Sequence, residues 1–258
     1  MSDFQEDTRE RLHDVRANSK LLADARAFTE SSVAARYSYN FLWQGRPIIQ
    51  YPQDMVALQE LVWATRPDLI IETGIAHGGS LVLSASLLTM LDYADAAADG
   101  QLLDPRAPRR RVLGIDIDIR QHNREAILAH PLAARIDMLQ GSSIDPDIIA
   151  QVAQIARGFE RVMVCLDSNH THDHVLAELQ AYAPLVSPGC YCVVFDTVIE
   201  DLPTTAYPDR PWDIGNNPRT AVKAYLATHP EFVVDAELEA KLLITVAPGG
   251  YLRRLNPA

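Results

Sequence analysis

The chain is short of positive charge. Its 258 residues carry 23 Lys and Arg against 34 Asp and Glu, a formal net charge of -11. The one basic run, Arg109-Arg110-Arg111, sits in a proline-flanked stretch and reads as a solvated loop face. Phosphate-backbone binding needs concentrated positive charge, so no nucleic-acid partner is expected. Cysteine is scarce as well. Cys165, Cys190 and Cys192 lie in or beside apolar runs without metal-ligand spacing and read as small buried residues. Their odd number fits a reducing cytoplasm. Long apolar runs are missing: Leu81 to Leu91 is too short to span a bilayer, so no membrane partner is expected. Met1 to Lys20 has no apolar signal-peptide core. No internal repeat is visible. What is there is length enough for one large α/β domain with a well-buried core.

The most informative stretch is Leu69-Ile70-Ile71-Glu72-Thr73-Gly74-Ile75-Ala76-His77-Gly78-Gly79-Ser80. An apolar run meets an acid, then a glycine-rich turn, then an apolar segment that reads as a helix. Strand, glycine turn and helix build a nucleotide crevice at the carboxyl end of a first strand. Glycines such as Gly74 and Gly78 let backbone approach a ligand, and a helix start near Ser80 offers unpaired N–H groups. The spacing is E-x-G-x-x-x-G-G-S, which departs from the dinucleotide pattern G-x-G-x-x-G. It suits a ligand with a carboxylate and an ammonium, because Glu72 can face the positive end. S-adenosylmethionine fits that description. The alternative is a glycine turn that only packs helix on sheet.

Around this stretch the chain predicts an N-terminal amphipathic helix over 1–27, then an aromatic-dense lid or oligomer contact over 38–47. A helix over 54–65 follows, with Asp54 as its N-cap. A mobile surface insertion spans 92–111. Six further strands are expected: 112–116, 136–140, 162–167, 191–196, 232–235 and 242–247. The link between the last two is too short for a helical crossover, so that pair should be antiparallel. Asp118, with Gln121 three residues on, reads as a helix cap. Asp116 instead ends its strand where a ribose hydroxyl pair is read. Ser142 and Ser143 are placed to hydrogen-bond a base edge, or to serve the turn.

Four strands thus end in acids: Glu72, Asp116, Asp167 and Asp196. Carboxylates along one crevice repel unless something positive lies among them. Asp167 and Asp196, on neighbouring strands, make a minimal divalent site, and oxygen donors favour Mg²⁺. The alternative is helix capping. His170 lies three residues past Asp167. An imidazole with an unperturbed pKa of about 6.5 suits proton removal from an alcohol. His172 and His174 fit helix capping or solvent exposure better than zinc.

Together, 71–80, Gly114-Ile115-Asp116, Gly141-Ser142-Ser143, Leu166 to His172 and Val194-Phe195-Asp196-Thr197 resemble the cephalosporin hydroxylase family, which groups with rhamnosyl O-methyltransferases. Gly45 to Pro52 and Asn216-Asn217-Pro218 fit it too. The resemblance implies a Rossmann-like class I methyltransferase: a doubly wound, mostly parallel seven-stranded sheet over 54–258 with an antiparallel last strand. The residues before it, 1–53, form a helical arm or lid. It implies a cytoplasmic, metal- and S-adenosylmethionine-dependent O-methyltransferase, expected as a homo-oligomer, acting on a hydroxyl of a rhamnose-like or other glycosylated natural product. In related enzymes the metal is held by an acid after the fourth strand and an acidic pair after the fifth. Asp167 and Asp196 match, but Phe195 stands where some relatives carry Glu. Thr197, Glu200 or water then completes the shell. His170 matches the family's catalytic His. The rival readings are an oxidoreductase of antibiotic biosynthesis and a non-catalytic cofactor-binding partner. The segment 204–217 is expected to cover the acceptor.

Overall fold

A computed structural model describes residues 3–257. Met1 and Ser2, where the first expected helix begins, lie outside the described residues. That helix is two: α1 (Asp3–Ala17) and α2 (Ser19–Ala34). The break falls at Asn18, whose side chain caps α2 by accepting the Leu21 amide at 3.0 Å. Next comes a hairpin of β1 (Phe41–Trp43) and β2 (Arg46–Ile48), turned by Gln44-Gly45, both at positive φ. The Trp43 indole anchors it by donating to Ser86 Oγ at 3.0 Å.

The sheet is built by β3 (Leu69–Thr73), β4 (Arg111–Asp116), β5 (Ile136–Gln140), β6 (Val162–Leu166), β7 (Tyr191–Val194), β8 (Phe232–Val234) and β9 (Tyr251–Arg254). Their order is β5-β4-β3-β6-β7-β9-β8. The first five in that order are parallel, and β9 runs antiparallel between β7 and β8. Helices α3 (Pro52–Thr65), α4 (Gly79–Asp99), α5 (Gln121–Leu128), α6 (Pro146–Ala156), α7 (His172–Tyr182), α8 (Pro218–Leu226) and α9 (Ala236–Leu242) connect the strands. The strands are apolar on both faces, as a doubly covered sheet requires. Ile70, Val112, Met163 and Val193 point into one core, and Ile71, Leu113, Val164 and Cys192 into the other.

Several local expectations are corrected. Residues 242–247 form no strand. The helix α9 fills that place, and the last strand is Tyr251–Arg254. Asp54 is not an N-cap. Tyr51 holds that position before Pro52, and Asp54 turns into the core. There its carboxylate accepts hydrogen bonds from Thr245 Oγ1, the Val246 amide and the Tyr251 hydroxyl, fastening α3 to the chain's end. Asp118 caps nothing: α5 starts at Gln121 with Arg120 as its N-cap. The expected insertion at 92–111 begins inside α4, which runs on to Asp99 and leaves 100–110 as the connection to β4. Asp92 and Arg110 are buried, and Asp92 pairs with both Arg110 and Arg135. Buried charges persist only when paired, so Arg110 is no part of a solvated face, although Arg109 beside it is exposed. By length and composition α4 is apolar enough to cross a bilayer, but Leu81, Val82, Ala85 and Leu88 are buried in the sheet core.

Candidate active site

The parallel strands β4, β3, β6 and β7 are neighbours, so their carboxyl ends share one edge. Glu72, Asp116, Asp167 and Asp196 stand along it. Among the described residues none of these carboxylates pairs with an Arg or Lys. Asp167 pays most for that. Burial, then the charges of Asp196 and Glu72, holds its carboxyl well above the usual range. Glu72 is also raised by burial, although Ser84 and Ser80 donate to it.

The glycine turn between β3 and α4 is clamped from both sides. Asp116 Oδ2 accepts the amides of Ile75 at 2.8 Å and Ala76 at 3.2 Å. The Ala76 carbonyl takes the Asn123 side-chain amide at 2.9 Å, and the His77 carbonyl takes the Arg46 guanidinium. Arg46 also donates to Asn123 at 3.0 Å. Gly74 sits at φ +89 against the Asp167 backbone, where any Cβ would collide with the Asp167 carbonyl. The turn and the acidic loop after β6 are therefore one packed unit. Arg46, within the 45–52 stretch that fits the family, and Asn123, which carries no sequence signal of its own, hold this turn.

Across the edge, Asp167, His170 and Asp196 bring one donor atom each within 4.8 Å of one another. His170 Nε2 lies 3.1 Å from Asp196 Oδ2. Asp196 itself is in the left-handed region, φ 56, at the start of a short 3-10 turn. Gln50 Nε2 reaches Asp167 Oδ2 at 3.4 Å. Trp212 packs edge-on to His170, ring centres 4.7 Å apart.

A cavity of about 650 Å³ opens over this floor. Its walls include Gly74 to His77 with Gly79 and Ser80, then Asp167, His170 and Asp196. Roofing segments come from 33–39 and 206–212. Of the expected lid or oligomer contact at 38–47, Ser38, Tyr39 and Pro47 border the cavity, and of the expected acceptor cover at 204–217, residues 206–210 and Trp212 do. Residues 35–255 match the family Rhamnosyl O-methyltransferase/CmcI. The chain belongs to this family. It is one of S-adenosylmethionine-dependent O-methyltransferases.

Curated members of the Rhamnosyl O-methyltransferase/CmcI family include the rhamnosyl O-methyltransferase of Mycobacterium bovis (strain BCG / Pasteur 1173P2). It is 31% identical over 207 residues, covering 78% of this chain and 73% of that protein. The Mycobacterium leprae (strain TN) protein is 28% identical over 216 residues, covering 82% of each. Among solved structures, CmcI-D160 with Mg and SAM superposes with TM-score 0.55 at 18% identity, over 84% of this chain and 78% of the other. CalS11, a TDP-rhamnose 3'-O-methyltransferase, gives TM-score 0.51 at 15% identity, over 100% of this chain and 97% of the other. These likenesses establish the fold.

Of the site residues expected in this family member, Gly74, Ser80, Asp167, His170 and Asp196 line the cavity. Glu72 lies beneath it, beside a hollow of about 20 Å³ shared with Gln50, Asp54, Ser80 and Asp167. Gly78 packs on Ile127. Asp116 braces the turn. Thr197 is not in the acidic cluster: its hydroxyl donates to the Pro248 carbonyl at 2.8 Å. Glu200 is also elsewhere, accepting from the Gly215 amide and the Asn217 side chain. Instead, His170 stands third in the cluster. The Ser142 carbonyl accepts the Asp145 amide. Ser143 is buried, with its hydroxyl 3.0 Å from His174 Nε2. His174 is no exposed cap. It also approaches Ser168 and the fully buried Glu178, behind the loop that carries Asp167 and His170. His172 bonds Thr220 Oγ1 at 2.8 Å, tying that loop to α8.

Proposed function

We propose that this chain transfers a methyl group from S-adenosylmethionine to a sugar hydroxyl of a glycosylated metabolite, with a divalent cation, best Mg²⁺, held by Asp167 and Asp196 beside His170. One observation carries the reading: the glycine turn and the carboxylate–imidazole cluster face the same cavity. The donor set fits a hard cation, because two carboxylates supply oxygen and their mutual repulsion is relieved by positive charge. The mycobacterial relatives' names point to rhamnose as the acceptor sugar.

The donor supplies an electrophilic methyl carbon, and the cation supplies charge beside the acceptor oxygen. The chain does the rest. The turn 74–80, braced by Asp116, Asn123 and Arg46, fixes the donor by backbone contact. The acceptor oxygen bonds to the methyl carbon as the carbon–sulfur bond breaks. His170 takes the hydroxyl proton, and Asp196 beside it stabilises the imidazolium. Trp212 holds the ring against rotation. Segments 33–39 and 206–212 hold the acceptor in line, which is where most of the rate arises. Binding and transfer assays with labelled S-adenosylmethionine and a rhamnosyl acceptor test this. Thermal stabilisation by NAD(P)H and not by S-adenosylmethionine would overturn it in favour of an oxidoreductase.

A further inference from the structure

We infer that Gln50 is a positioning residue for the cation site: its neutral amide orients the Asp167 carboxylate toward the ion. The inference deepens the metal part of the proposed function and rests on it. Among the described residues, each carboxylate of the cluster has one side-chain partner. Asp196 has His170 at 3.1 Å, and Asp167 has Gln50 Nε2 at 3.4 Å. An ionised carboxylate only accepts hydrogen bonds, so the amide NH₂ must be the end that faces Asp167. Turned this way, Gln50 Oε1 is buried and meets no protein partner. Packing alone gives no reason for such an acceptor at a position only 6% exposed. The bond to Asp167 does.

The choice of an amide has its own physical reason. A Lys or Arg here would also orient the carboxylate, but its charge would repel the ion and take its place. The amide fixes one oxygen and adds no charge. The negative potential of Glu72, Asp167 and Asp196 is then left for the cation. Gln50 is mounted on fixed backbone. Before it, the chain lies so close to Gly79 that a Cβ there would strike the Pro47 carbonyl and Ile48. After it, Tyr51 is the N-cap of α3, and its hydroxyl lies 2.6 Å from Ser32 Oγ. Gln50 lines both the cavity and the hollow beneath it, so its amide stands in the floor that separates the cluster from Glu72.

The test is Mn²⁺ binding to the full chain by calorimetry, measured beside S-adenosylhomocysteine affinity and the thermal midpoint. Gln50→Met keeps the length of the side chain and removes the donor. We expect Mn²⁺ affinity at least ten-fold weaker, with S-adenosylhomocysteine affinity and midpoint as in the wild type. Gln50→Asn keeps the amide but is one methylene short, and it should show the same loss. Wild-type Mn²⁺ affinity in either variant overturns the inference. So does a loss that comes with a lowered midpoint and weaker S-adenosylhomocysteine binding, since that marks a role in folding alone. A wild type that binds no Mn²⁺ overturns it together with the metal part of the proposed function, whereas equal binding by wild type and variants removes only the role of Gln50.

Discussion

The backbone of Asp167 occupies the space that a side chain on Gly74 would need. This contact joins the end of β3 to the end of β6 and sets the spacing between glycine turn and acidic cluster. Gly74→Ala must therefore shift one loop or the other, and it also strains a φ of +89. We expect a loss of roughly 2–4 kcal/mol, read as a lowered midpoint in thermal or urea unfolding. Wild-type stability in this variant would show that the loops yield freely.

Asp167→Ala, or treatment of the wild type with EDTA, should cut turnover by about 100-fold or more, because the cluster loses a ligand or its ion. Adding Mg²⁺ back should rescue the EDTA-treated enzyme and not the variant. Full turnover in both would discard the metal role.

His170→Gln removes the proton acceptor and leaves the turn intact. A drop of about 10²–10⁴ in kcat is expected, with donor affinity nearly unchanged by calorimetry. A change confined to KM would assign His170 to binding alone.

Asp116→Ala frees the amides of Ile75 and Ala76. Binding of S-adenosylhomocysteine should weaken about ten-fold or more, since the turn loses its brace as well as its acid. An unaltered isotherm would show that neither function belongs to Asp116.

Asp54 sits in the core, and burial raises its carboxyl to about 6. A raised acid contributes stability that is full below the unfolded value and is lost as pH climbs through the folded one. Between about pH 4 and pH 6 this group alone should remove about 3 kcal/mol. Asp54→Asn should flatten that part of the stability–pH curve while lowering stability overall, because one acceptor oxygen becomes an NH₂ and the Val246 amide and the Thr245 and Tyr251 hydroxyls cannot all donate to the other. An unchanged slope would place the titration elsewhere.

Much was legible in the residues themselves. Apolar runs ending in acids, and a glycine turn after one of them, fixed where β3, β4, β6 and β7 lie and which ends share an edge. The alternation of side chains along a strand and the rules of parallel connection leave little freedom there. The helix starts at Asp145-Pro146 and Asn217-Pro218 are equally local: both cap residues accept their own helix amides.

Long-range partners decided the rest. Asp54 has the chemistry of a cap, but Thr245, Val246 and Tyr251, nearly 200 residues away, give it better donors than its own helix does. Arg110 looks solvated until Asp92 and Asp95 close around it. Thr197 follows a metal-type acid, yet the Pro248 carbonyl claims its hydroxyl. Composition and local pattern set which groups are available. Only the packed chain determines which partner each polar group meets, because a buried donor or acceptor goes to whichever partner lies within hydrogen-bond reach, however distant in sequence.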